Sequence, residues 1–231
     1  MANSASPVHP DIIDGSSLFG VTKAAAARMQ GAKVTVDYGA LNLLLDEVRE
    51  DRGWQLATRK TVLLATDPMS ASQKRFTGML HHSGFTVDEV DYRAAYVSPP
   101  PDDTMDGASS ESIPKPKPVE SLTARLCYIL GLLSRHDDVQ VLVVSHSFEL
   151  HGPLTNLAQR MPQGRVGLAY FRTLLDKRWR GVDLGEAPGR SEGSTALHFI
   201  DLEPYAKRLL GVDPFDADAG PRSARASLSE W

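Results

Sequence analysis

Apolar positions along this chain follow two rhythms. Short apolar runs mark strands, and stretches with apolar residues three or four apart mark helices. Runs at 11–14, 60–66, 85–92, 139–144, 165–171 and 196–202 read as strands, the third alternating in period two as a half-buried strand does. The run Val139-Gln140-Val141-Leu142-Val143-Val144 has one polar residue in six and suits a strand covered on both faces. Between the strands, Leu41, Leu44, Leu45 and Val48 recur at helical spacing after a capping Asp37, and Gly53 ends that helix. Phe76, Met79 and Leu80 form the stripe of a helix over 70–82, and further helices are expected at 120–134, 153–160, 173–179 and 204–210. The four alanines at 24–27 favour a short helix stopped by Gly31, with 15–20 read as a turn before it.

Strand and helix in alternation, with strands this apolar, predict an α/β fold: a doubly wound, mostly parallel sheet with helices on both faces. One domain over 11–211 is expected, after a flexible N-terminus at 1–10. Composition changes at about 94–118, where Pro99-Pro100-Pro101 and Pro114-Lys115-Pro116-Lys117-Pro118 bracket Ser, Asp and Gly, so a Pro-rich insertion is read there. The stretch 212–231 reads as a disordered tail.

A chain of 231 residues, 42% hydrophobic and 23% charged, is an ordinary globular composition. The net charge of −4 offers polyanions no general attraction, so a nucleic-acid contact has to be local. The single cysteine, Cys127, lies in an apolar helical stretch and reads as a core residue in a reducing compartment. The first nine residues lack the cationic and apolar regions of a secretory signal, and no run is long enough for a membrane span. A cytoplasmic protein without a membrane partner is the expectation.

Chemistry is expected at two strand tips. In an open parallel sheet, groups just past the carboxyl ends of the strands face the ligand crevice. Asp14-Gly15-Ser16-Ser17 follows one strand and Ser145-His146-Ser147-Phe148-Glu149 another. A carboxylate at such a tip can hold a divalent cation or take a proton from water, although the same four residues also make an ordinary turn. Ser145 and His146 suggest a hydrolase pair, but neighbours on a strand point to opposite faces, and no Gly-x-Ser-x-Gly elbow occurs. His81, His82, His136, His146, His151 and His198 are scattered without zinc spacing, and no phosphate-cradling glycine loop is present. Cations gather at Lys74-Arg75, at Lys115 and Lys117, and at Arg172, Lys177, Arg178 and Arg180 beside Tyr170, Phe171 and Trp179. The last group interleaves cations with aromatics as a single-strand binding surface does, but a solvated helix face explains it more easily.

In this order the segments resemble the NYN domain, a branch of the PIN-like nuclease superfamily. Ile12 to Gly20 is similar to the family's strand ending in Asp-Gly-x-Asn, and Gln73 to Tyr92 to its basic helix, glycine and strand. Val141 to Leu154 is similar to the strand ending in Ser-Gly-Asp-Ser-Asp-Phe, and Ala196 to Leu202 to the final strand. The resemblance implies a PIN-like, Rossmann-like three-layer sandwich and a ribonuclease in which clustered carboxylates hold Mg²⁺ or Mn²⁺. Asp14 carries over as catalytic and metal-binding, and Glu149 matches the second acidic position. Ser17 stands for the family Asn, Ser145 matches its Ser, His146 takes the Gly place, and Ser147 falls where an Asp is expected. The helix that brings further acids reads Leu122 to Tyr128 without a carboxylate, and Arg125 reverses the charge. The resemblance therefore implies a module of nuclease descent that binds RNA or a protein with weak or no catalysis. Gly15, Ser17, Ser145, Ser147, Lys74, Arg75 and Arg125 are its candidate RNA contacts. Two rivals stand beside it. One is an active metal-dependent ribonuclease using Asp14 and Glu149, with Asp67 or Asp201 brought in. The other is a structural or assembly protein, homo-oligomeric or partner-bound, using the Pro-rich loop and the tail ending in Trp231.

Overall fold

The apolar runs become β1 (Pro10–Asp14), β2 (Arg59–Thr66), β3 (Thr86–Asp91), β4 (Gln140–Val144), β5 (Arg165–Tyr170) and β6 (His198–Asp201). All six join one sheet in the order β3-β2-β1-β4-β5-β6, and every neighbouring pair is parallel. The computed structural model describes residues 8–66, 70–91, 121–136, 138–161, 165–175, 177–182, 197–212 and 214. The Pro-rich segment at about 94–118, Asp67, residues 1–7 and residues 215–231 lie outside the described residues.

Parallel strands need crossovers, and helices of the described residues cover both faces of the sheet. On one face α1 (Gly15–Arg28), α2 (Tyr38–Asp51), α3 (Ala71–His82) and α6 (Ala206–Leu210) bury Leu18, Val21, Leu41, Leu44, Leu45, Leu80 and Leu209 with Ile13 and Val144. On the other, α4 (Leu122–Leu133) and α5 (His151–Arg160) bury Leu126, Leu130, Leu154 and Leu157 with Ile12, Val141 and Val143. Successive strand residues therefore serve opposite cores, which is why the inner strands β2, β4 and β5 are rich in apolar residues while the edge strands β3 and β6 are not. No helix among the described residues is long and apolar enough to cross a membrane.

Two elements differ from the sequence reading. Residues 15–20, expected as a turn, form the opening of α1, because the Asp14 side chain caps it by accepting from the Ser16 and Ser17 amides. The helix enters without a loop only because residue 15 is glycine: a Cβ there would stand 2.7 Å from the Leu63 carbonyl oxygen. The helix expected at 173–179 is replaced by two 3-10 turns, Arg172–Leu174 and Lys177–Gly181.

At the amino ends of β1 and β4, opposite the crevice, α2 sends in Arg49, which is wholly buried. Its guanidinium meets Asp11 at 2.6 Å and donates to the carbonyls of Pro10, Gln55 and Gln140. Burial outweighs the pull of Arg49 and raises the Asp11 carboxyl to about 6. This cluster ties a surface helix to two central strands.

Candidate functional site

The strand order reverses between β1 and β4: the chain after β1 proceeds to β2 on one side, and the chain after β4 to β5 on the other. Helices leaving such neighbours diverge to opposite faces and open a crevice between them. Register pairs Ile12 with Val143 and Ile13 with Val144, so Asp14 and Ser145 stand level at the two tips.

The Asp14 carboxylate is 4% exposed and accepts five hydrogen bonds. Oδ1 takes the Ser16 amide at 3.0 Å, the Ser16 hydroxyl at 2.6 Å and the Ser17 amide at 3.4 Å. Oδ2 takes the hydroxyls of Ser17 and Ser145, both at 2.9 Å. Each of these two serines accepts in return: Ser17 Oγ from the His146 amide at 3.0 Å, and Ser145 Oγ from the Ser147 amide at 3.2 Å. With both hydroxyl protons committed to Asp14, the 3.3 Å approach of Ser17 Oγ to Ser145 Oγ is a contact between acceptors. The network sews the tip of β1 to the tip of β4.

Beyond it lies a cavity of about 390 Å³. Asp14, Ser16, Ser17 and Gly20 wall it from β1 and α1, Thr123 from the start of α4, His146 and Ser147 from the loop after β4, and Leu174 from a 3-10 turn. His146 is the least expected of these. Its Nε2 accepts the Phe171 amide at 2.9 Å, which puts the ring proton on Nδ1. Among the described residues Nδ1 has no partner, so the imidazole offers one N–H donor at a cavity wall. Burial pushes its pKa down to about 4, the Asp14 charge opposing that shift, and the ring is neutral at physiological pH. Trp179 fixes the loop behind it, donating Nε1–H to the His146 carbonyl at 3.3 Å and packing edge-on to Phe148 at 5.1 Å.

Ser145 and His146 do not form a nucleophile and base: the serine proton goes to Asp14 and the imidazole acceptor nitrogen is taken by backbone. A divalent cation fits the residues poorly. Mg²⁺ and Mn²⁺ require carboxylate oxygens with free lone pairs, and both Asp14 oxygens already serve protein donors. Among the described residues no three His, Cys, Asp or Glu side chains gather around one point. Glu149, the second candidate catalytic and metal-binding residue, is exposed in the 3-10 turn Phe148–Leu150, does not line the cavity, and acts electrostatically on Cys127 of α4. The 3-10 turn carries it away from the crevice. Asp201 meets Arg172 at 3.0 Å and does not line the cavity either.

Of the expected RNA contacts, Ser17 and Ser147 line the cavity, while Gly15 and Ser145 build the floor behind it. Lys74 and Arg75 are exposed on α3 and lie outside its walls. Arg125 makes a two-pronged contact with Asp88 of β3, both bonds at 3.1 Å, so its charge joins α4 to the sheet. The sequence reading passed over Thr123, Gly20 and Leu174. Gly20 joins the site because α1 opens at residue 15 and sets it four residues after Ser16 on one helical face, and Leu174 because of its 3-10 turn; neither placement is written in the sequence.

Comparison with family models, with curated proteins and with solved structures finds no match for this chain.

Proposed function

We propose that this chain is a single-stranded RNA-binding module of nuclease type that holds its ligand without cutting it. One observation carries the reading. The crevice at the sheet's reversal point is lined by the hydroxyls of Thr123 and Ser147 and by the His146 imidazole with its N–H, while the one carboxylate among its described lining residues is consumed by five protein donors. Donors at a pocket wall suit a ligand rich in acceptor oxygens, as phosphate and ribose are, and unpaired bases are the part of RNA that a crevice can admit. The order of four sequence segments resembling the NYN domain supports RNA over other oxygen-rich ligands. A reducing, cytoplasmic setting accords with the single cysteine.

Fluorescence anisotropy with a labelled single-stranded oligoribonucleotide, read at low salt with and without Mn²⁺, tests the proposal. Binding with the RNA left intact is the expected result. A Cβ at Gly20 would have no heavy atom within 4 Å outside its own chain neighbours, so Gly20→Leu adds bulk at the cavity edge and should weaken binding by about tenfold or more. Absence of binding by the wild type overturns the proposal. So does Mn²⁺-dependent cleavage that disappears in a folded Asp14→Asn variant.

A further inference from the structure

On α1, Ser16, Phe19, Gly20 and Lys23 are three and four residues apart and share one face. All four are exposed. Phe19 is 71% exposed, the most of any large apolar side chain among the described residues, and it makes no ring contact there. An aromatic ring left in water on an otherwise polar helix face contributes nothing to the core. Its position gives it another use. The residues before and after it on that face, Ser16 and Gly20, both line the crevice, and the missing side chain at Gly20 leaves open space beside the ring. One turn further along, Lys23 supplies an exposed cation. Leu174 gives the opposite wall an apolar surface.

We infer that Phe19 is the base-stacking platform of this site: a nucleobase lies flat over Gly20 against the Phe19 ring, and the following phosphate meets Lys23. The inference rests on the RNA reading above and specifies how the ligand is held. Every base has a π face, so a platform of this kind gives affinity with little sequence preference. The Thr123 and Ser147 hydroxyls and the His146 imidazole N–H then engage sugar and phosphate oxygens of the same nucleotide.

The test uses the full chain and the same labelled RNA, with Phe19→Ala, Phe19→Leu and Phe19→Trp beside the wild type. Phe19 is exposed, so melting temperatures should be unchanged. Phe19→Ala and Phe19→Leu should each weaken binding by about tenfold, and Phe19→Trp should hold or tighten it. An oligonucleotide whose central sugars lack bases should bind weakly to all four proteins with no dependence on residue 19. Equal affinity for Phe19→Ala and wild type, with Gly20→Leu still defective, overturns the platform and leaves the RNA reading standing. Equal losses on the base-free ligand also overturn it, because the ring would then be acting on the backbone. Self-association of the wild type that Phe19→Ala abolishes, without any RNA effect, makes Phe19 a protein contact and ends the inference. If the wild type binds no RNA, both readings fall.

Discussion

His146 and Asp14 sit side by side at the crevice, and both are recruited by their surroundings into fixed roles. The imidazole accepts a backbone N–H with the nitrogen that an acid would protonate, so protonation breaks the bond to Phe171 as well as charging a buried ring. Its folded pKa of about 4 lies below the ordinary 6.5. A depressed histidine supports the fold fully above pH 6.5, and that support is lost as pH falls toward 4, with a ceiling of about 3 kcal/mol before solvent screening. Asp11 acts in the opposite sense over nearly the same window, since its raised pKa favours the fold at low pH and that contribution fades as pH rises through about 6. The difference between wild type and His146→Gln in urea melts from pH 7.5 to 4 isolates the histidine: the variant should lose the acid-sensitive component, and parallel curves would refute the assignment. Asp14 was legible as a site residue from its place after an apolar run. Its saturation was not, because that depends on where three hydroxyl protons point, and the partner Ser145 is 131 positions away.

At the scale of elements, α1 teaches most. Gly-Ser-Ser after an aspartate has the composition of a turn, and local propensity favours that reading. Capping by Asp14 and the close fit of residue 15 against β2 override it, and the helix begins where the strand ends. The two glycines in its first turns should consequently respond with opposite signs to the same change. Gly15→Ala forces a methyl against the Leu63 carbonyl and should cost about 1–3 kcal/mol. Gly20→Ala meets open space in a helix interior and should gain about 0.5–1 kcal/mol. Chemical denaturation of both variants checks this, and a common sign would show that the packing around residue 15 is misjudged. The 173–179 segment errs the other way. Phe171 and Trp179 are both drawn into cores, and two short 3-10 turns stand where a helix was expected.

For the whole molecule, the parallel sheet follows from the sequence because the central runs, above all Val139 to Val144, are apolar enough to be covered twice. The order of strands does not, since apolar runs carry no address and only the reversal between β1 and β4 creates a crevice. The far end of the sheet is held by the Arg49 cluster, where one guanidinium meets Asp11 and three carbonyls across β1, β4 and the segment before β2. Arg49→Met leaves Asp11 as a buried group without its counter-charge and should cost about 3–5 kcal/mol. Calorimetry would expose it as a large fall in melting temperature, whereas a shift of a degree or two would mean that the cluster relaxes around the loss.

Five protons converging on one acidic side chain hold the inner end of the crevice in one arrangement. An aperture set in advance spares an incoming molecule the entropy of shaping it. For the ligand proposed above, an inner end fixed in this way favours guests that already match its dimensions, with chemical detail deciding among those that fit.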